Sequence, residues 1–299
     1  MAAATRDDSG PVTFVLSGGG TAGAVQVGML QALYERGIAP ETIVAASVGA
    51  INGAFIASRP PTVSAVEELA EVWRSLRSRD IFPVNPLTGL FGVFGWSSHL
   101  VSARGLRELI ETWVEFDTLD QAPTPFSVIA TDVLSGEEVR LSEGSTVSAI
   151  LASAAIPGVF PPVRRDGRKL VDGGVTNNTP LSHAVRLGAR RIYVLSAGYA
   201  CALEEVPGSA MGVVLQSLSV LVQQRLVADI GQVPADVELT VLPLPCPLDV
   251  SPVDFSRAGE LIERGKESAR SFLADRVPSG DAAGNVMPHR HGGAAPHPV

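Results

Sequence analysis

Between Ile43 and Ala50 a short apolar run, Ile43-Val44-Ala45-Ala46, passes straight into Ser47 and then Val48-Gly49-Ala50. A serine set between small residues where a strand bends into a helix leaves the chain few alternatives. The turn is crowded, so its hydroxyl projects only if the neighbours are tiny, and the helix N-terminus behind it favours developing negative charge. The segment reads as a nucleophile elbow, with Ala45 in the place of the first glycine of G-x-S-x-G. Strand ends of this composition also occur without any catalytic role, so the elbow needs partners.

A second turn supplies one. Thr13-Phe14-Val15-Leu16-Ser17 is an apolar, β-branched run followed by Gly18-Gly19-Gly20-Thr21-Ala22-Gly23, and Ala24 to Arg36 has helical spacing at Val27, Leu30, Leu33 and Tyr34. Gly18, Gly20 and Gly23 fit G-x-G-x-x-G, so a dinucleotide site has to be weighed. That reading requires an acid closing the second strand. Here the second strand ends in Ser47, and Glu41 precedes it, so the ribose has no anchor. The other use of glycine amides before a helix is an oxyanion hole, with bare N–H groups aimed at the oxygen of an acyl-transfer intermediate.

A base is available downstream. Lys169-Leu170-Val171-Asp172-Gly173-Gly174-Val175-Thr176-Asn177-Asn178 puts an acid at the end of an apolar strand, with two glycines that let the backbone approach another element closely. To act as a base on serine a carboxylate must be partly desolvated and held within hydrogen-bond reach. An Asp-Gly turn at the surface is the plain alternative.

In order and context, Gly18 to Gly23, the Ser47 elbow and Asp172-Gly173-Gly174 resemble the patatin-like phospholipases, a family of Ser-Asp dyad lipid acyl hydrolases. The resemblance runs from about Pro11 to Arg276. It includes Ala130-Thr131-Asp132 with Ser135-Gly136-Glu137, the stretch Ile150 to Pro162, and Asp254-Phe255-Ser256-Arg257. It implies a three-layer α/β/α fold with a largely parallel central sheet, and a reaction through an acyl-enzyme. Ser47 would be the nucleophile and Asp172 the general base, then acid. The turn of Gly18, Gly19 and Gly20 would form the oxyanion hole, with Gly23, Gly49, Gly173 and Gly174 as supporting motif positions. No cofactor and no metal is implied. The substrate would be a lipid ester, in the manner of phospholipase A or lysophospholipase, met at a transient membrane or micelle surface. Ala22 stands where many relatives carry Arg or Lys, and Ala45 where the elbow glycine is usual. The alternative is therefore a weakly active or inactive relative that binds lipid or a protein partner.

A Ser-His-Asp triad is the rival architecture. His183 lies on the helix after the Asp172 turn, His99 in a loop, and His289, His291 and His297 in Pro- and Gly-rich sequence near the C-terminus that could not hold a base in register. All five are read as non-catalytic.

Strands at Thr13, Ile43, Phe126, Lys169, Arg191 and Glu238 alternate with helices beginning near Ala24, Ala50, Val63, Val147, Leu181, Met211 and Phe255, the pattern of an α/β fold. The expectation is one domain over 11–276 between disordered tails at 1–10 and 277–299. Formal net charge is −8, which argues against nucleic acid as a partner and against broad electrostatic docking to anionic membrane, although local basic patches survive such an average. Arg164, Arg165, Arg168 and Lys169 form a local basic cluster, read either as a solvated hairpin tip or as a lipid headgroup contact. Two cysteines, Cys201 and Cys246, suggest reduced thiols rather than a disulfide scaffold. No secretory pattern or membrane span is evident, so a cytoplasmic protein in peripheral contact with membrane is expected; oligomeric state is left open. The aromatic, Gly- and Pro-rich stretch Ile81 to Trp96 is expected to cap the core or to form a lid or acyl-chain wall near Ser47.

Overall fold

Four of the strands read in the sequence are buried almost throughout, which is why they appear there as continuous apolar runs rather than alternating ones. The computed structural model describes residues 10–82, 99–198, 206, 208, 210–246, 248 and 253–274. Over these, the first part of the chain forms β1 (Val12–Leu16), α1 (Gly23–Glu35), β2 (Thr42–Ala46), α2 (Val48–Ala57), α3 (Val63–Ser75), α4 (Ser78–Ile81) and α5 (Arg104–Trp113). Next come β3 (Phe126–Asp132), β4 (Glu138–Leu141), α6 (Thr146–Ser153), β5 (Val163–Arg165), β6 (Arg168–Asp172), α7 (Gly174–Asn177) and α8 (Leu181–Arg186). β7 (Arg191–Leu195), α9 (Ala210–Ile230), β8 (Glu238–Val241) and α10 (Ala258–Ala274) complete the order.

The eight strands form one sheet in the order β5-β6-β3-β2-β1-β7-β8, with β4 also paired to β3. From β3 through β2, β1 and β7 to β8 every pairing is parallel. The pairings of β3 with β4, β3 with β6 and β5 with β6 are antiparallel. Side chains alternate between two cores. Phe14 and Leu16, Ile43 and Ala45, and Tyr193 and Leu195 face the helices α1, α2, α3 and α10. Val15, Val44, Ala46, Ile129 and Val194 face α8 and the end of α9. The result is the expected three-layer α/β/α fold. The chain moves outward from β1 to β2 and β3, then returns to the other flank of β1 with β7. The glycine turn after β1 therefore lies at the topological switch point, where open sheets of this kind take their ligands.

All six strands expected from the sequence are present. β4, β5, α4, α5 and α7 are additions: the two strands are short and rich in charge, α4 and α7 are single turns, and α5 is a full helix that the sequence reading did not place. The expected helix at Phe255 begins as a 3-10 turn, Phe255–Arg257, before α10. Cys246 is disulfide-bonded, against the expectation of reduced thiols; Cys201 lies outside the described residues. The aromatic stretch is described only at Ile81 and Phe82, and the expected terminal tails only at Gly10. Among the described residues no helix is long and apolar enough to cross a membrane.

α1 carries the glycine turn at its N-terminus and is clamped by α10. The two backbones approach so closely that a Cβ on Gly28 would lie 2.0 Å from the Ile262 carbonyl oxygen, and one on Gly265 would lie 2.4 Å from that of Val25. Backbone cannot yield as a side chain can. Gly28→Ala is therefore expected to lower stability by about 3 kcal/mol, the upper part of the usual overpacking range, in urea unfolding. An unchanged midpoint would show that the helices part freely.

Candidate active site

β3 determines where the two candidate catalytic residues meet. Residues Val128 and Ile129 pair with both β2 and β4, and Ala130 and Thr131 pair with both β4 and β6. A strand has only two edges, so β2 and β6 share one of them. They run toward each other: Ala46, the last residue of β2, stands opposite Ile129, and Asp172, the last of β6, stands opposite Ala130. Two strand ends far apart in sequence thus abut, and Ser47 Oγ donates a 2.6 Å hydrogen bond to Asp172 Oδ2.

Ser47 has φ 53° and ψ −127°, a left-handed conformation that costs a non-glycine residue about 1–3 kcal/mol. Its surroundings hold it there. Its N–H donates to both the carbonyl (3.2 Å) and the Oγ (3.1 Å) of Ser153. Ser153 Oγ in turn donates to the Ile129 carbonyl at 2.6 Å, and the Gly173 N–H donates to the Ser153 carbonyl at 3.2 Å. One buried serine at the end of α6 thus fastens the elbow, β3 and the turn after Asp172. Gly49 is required by close approach, since a Cβ there would meet the Leu16 carbonyl oxygen at 2.5 Å. Ala45 fits as it stands: its methyl faces Gly53 of α2, where a Cβ would lie 3.4 Å away.

Asp172 is buried, and its second oxygen, Oδ1, accepts the Gly174 N–H at 2.7 Å. Burial pushes its carboxyl up from the ordinary 3.8 to about 6, against the opposing pull of the hydrogen bonds from Ser47 and Gly174. His183 is elsewhere engaged, its Nε2 paired with Glu138 Oε1. The hydrogen bond from His183, joined by Asn177 and the charge of neighbouring Arg225, holds that glutamate at about 2 despite its partial burial.

The glycine turn packs directly against the elbow, for a Cβ on Gly18 would lie 2.8 Å from Ser47 Cβ. Its three amides are not equivalent. The Gly18 N–H donates to the Asn178 carbonyl at 3.0 Å, while those of Gly19 and Gly20 have no hydrogen-bond partner among the described residues. Asn178 Nδ2 also donates to the Gly18 carbonyl at 3.1 Å, fixing the plane of that peptide. Gly23 opens α1 beneath the turn, and Ala22 is buried, so no cation enters from that position. Gly20 and Ser47 open onto a cavity of about 60 Å³ whose remaining walls are apolar, including Val48, Ile51, Trp73, Phe160 and Phe255. Ile81 and Phe82 form another part of the wall, and so do Leu106, Leu109 and Trp113 of α5.

The family model for patatin-like phospholipase matches residues 14–185, more than half of the chain. This chain belongs to the patatin-like phospholipase family. An uncharacterized NTE family protein of Mycobacterium bovis is 33% identical over 179 residues, which are 59% of this chain and 46% of that protein. Mouse patatin-like phospholipase domain-containing protein 7 is 30% identical over 192 residues, 62% of this chain and 14% of that one. The chain thus spans less than half the length of these two relatives. Among solved structures, VipD from Legionella pneumophila aligns over 88% of this chain and 67% of its own, with a TM-score of 0.47 and 16% identity. Human GIVD cytosolic phospholipase A2 aligns over 90% and 59%, with a TM-score of 0.46 and 13% identity.

Ser153 and Asn178 were not singled out by sequence reasoning, although both lie within or beside the segments that carry the family resemblance. Ser153→Ala removes the donor to Ile129 and one acceptor of the Ser47 N–H, so a loss of about 1–3 kcal/mol in stability is expected by urea unfolding. Asp172 gives a second expectation, with a defined sign. Its folded value lies above the ordinary 3.8, so its contribution to stability is fully present below that pH and is lost as pH rises through about 6. Relative to Asp172→Asn, the parent protein should lose roughly 3 kcal/mol across that window. Parallel pH profiles for the two proteins would refute the desolvated carboxylate.

Proposed function

We propose that this chain is a serine hydrolase that cleaves acyl esters of lipids through an acyl-enzyme. The observation that carries the reading is the 2.6 Å hydrogen bond from Ser47 Oγ to a buried Asp172 beside an apolar cavity. Asp172 accepts the Ser47 proton as Oγ bonds to the ester carbonyl carbon, and the carbonyl oxygen becomes an oxyanion facing the Gly19 and Gly20 amides. Collapse of that intermediate breaks the bond to the alcohol, which leaves with the proton from Asp172. Water then attacks the acyl-enzyme, with Asp172 again taking and returning a proton, and the fatty acid departs. Gly18, whose N–H is already bonded to Asn178, is left out of the oxyanion hole in this scheme.

Family membership supports a lipid ester as substrate, and the apolar walls around Ser47 support an acyl chain at the reacting centre. The alternative of an inactive binding relative drew on Ala22 and Ala45. Gly53 makes room for the Ala45 methyl, which removes half of that case.

Hydrolysis of a short soluble p-nitrophenyl ester tests the proposal. Ser47→Ala and Asp172→Asn should each lower kcat by at least about 1000-fold while remaining folded in thermal melts. In the parent protein, kcat/KM should rise with pH and level off above about 6, the value to which burial pushes the base. Activity indifferent to Ser47 would exclude the dyad.

A further inference from the structure

Large exposed aliphatic side chains are concentrated at one end of this molecule. α9 links the parallel strands β7 and β8, so it must run back antiparallel to both. Its 21 residues span about 31 Å, against about 17 Å for a five-residue strand. The end that packs on the sheet is the C-terminal one: Leu226 is buried, and Val227 and Ile230 pack against the second core. The first half of α9 therefore projects past the carboxyl ends of the strands, the edge at which Ser47 sits. Residues 210–224 contain no charged side chain. Val214, Leu218 and Leu221 make a stripe along this projection, with Leu221 65% exposed. No charge along this half of the helix draws it into water, yet Val214, Leu218 and Leu221 are exposed.

Two neighbouring features point the same way. Asp132 ends β3 at the same edge, and the turn that follows exposes Val133 and Leu134, the latter to 74%. Beside it stands the β5–β6 hairpin, whose Lys169 carbonyl accepts the Val133 N–H at 2.9 Å. In this hairpin Arg164 faces Lys169 and Arg165 faces Arg168. Like charges directly opposite each other destabilise a strand pair. Arg165 and Arg168 have carboxylates nearby, Asp166 for the first and Asp132 and Glu137 for the second. Arg164 and Lys169 are exposed and have no carboxylate partner among the described residues, in a chain whose net charge is −8.

We propose that this edge is a docking face for a lipid aggregate with anionic headgroups. Leu134, Leu218 and Leu221 enter its apolar layer, and Arg164 and Lys169 meet headgroup phosphates. A two-fold dimer through this face would set Arg164 and Lys169 against the same cations of the second copy, whereas anionic headgroups complement them. The inference rests on the lipid-hydrolase reading only for its account of why the face lies at the nucleophile's end.

Sedimentation of the full chain with vesicles of phosphatidylcholine, or of phosphatidylcholine mixed with phosphatidylglycerol, tests it. The parent protein should bind the mixed vesicles more tightly. Arg164→Ser with Lys169→Ser should weaken that binding about 30-fold. Leu218→Asp with Leu221→Asp should weaken binding to both vesicle types about 100-fold. Cleavage of a short soluble ester should be unchanged in both double variants. A parent protein that binds vesicles through these residues yet cleaves no ester would uphold the docking face and remove the hydrolase reading. The proposal is overturned if the parent protein fails to bind, or if the double variants bind as it does. It is also overturned if sedimentation velocity shows a dimer that Leu218→Asp with Leu221→Asp converts to monomer, which would assign the face to a second copy.

Discussion

Two strands share one edge of β3 and meet there end to end, and the candidate site depends on that arrangement. β2 arrives parallel to β3 and β6 antiparallel, so their carboxyl ends converge at neighbouring rungs, Ile129 and Ala130. An all-parallel sheet would bring strand ends side by side, about 4.8 Å apart across the ladder, with both residues pointing outward from the sheet edge. The head-on arrangement instead directs one turn at the other. It also explains the crowding: Gly173 has no room for a side chain because the Ile129 carbonyl oxygen lies 2.2 Å from where its Cβ would be.

A buried polar network lies beneath the glycine turn. Gln26 Nε2 donates to the carbonyls of Ser17 and Leu195, the ends of β1 and β7. Asn52 Nδ2 donates to Gln26 Oε1 and to the Gly23 carbonyl, and Trp73 Nε1 donates to Asn52 Oδ1. Three helices and two strand ends are thereby tied to one set of side chains, all of them buried. Inside a low-dielectric core such a network is costly if one partner is missing and rigidifying when every partner is present. Here each of these groups has its partner, and α1, α2 and α3 are held together beneath the switch point.

Much of the fold could be read from the sequence, because parallel strands buried on both faces leave uninterrupted apolar runs such as Phe14-Val15-Leu16 and Ile43-Val44-Ala45. β4 and β5 could not, since Glu138-Val139-Arg140-Leu141 and Val163-Arg164-Arg165 carry as much charge as apolar surface. α5 was legible in principle: Leu106, Leu109, Ile110 and Trp113 recur at helical spacing, and three of them line the cavity. At the site, Ser47, the glycines and Asp172 each sit at a turn with its own local signature. Their contact spans 125 residues and follows from register on β3, which no local pattern encodes. Ser153 and Asn178 each work through both side chain and peptide group, and Ser153 reads in the sequence as an ordinary small residue of a helix. The unequal roles of the three glycine amides likewise depend on where Asn178 returns to the turn.

A lone carboxylate meets two opposed demands in the proposed reaction. It must be basic enough to draw a proton from serine, which favours burial, and it must remain ionised near neutral pH, which burial resists. In a Ser-His-Asp triad the imidazole meets both demands through its own pKa near 6.5. Asp172 approaches that value by desolvation, while the donors Ser47 Oγ and Gly174 N keep the charged form accessible and aim one oxygen at the nucleophile. The same burial that unsettles the folded protein as pH rises thus makes the carboxylate a stronger base. The sheet geometry that forces β6 against the end of β2 is what makes that burial unavoidable.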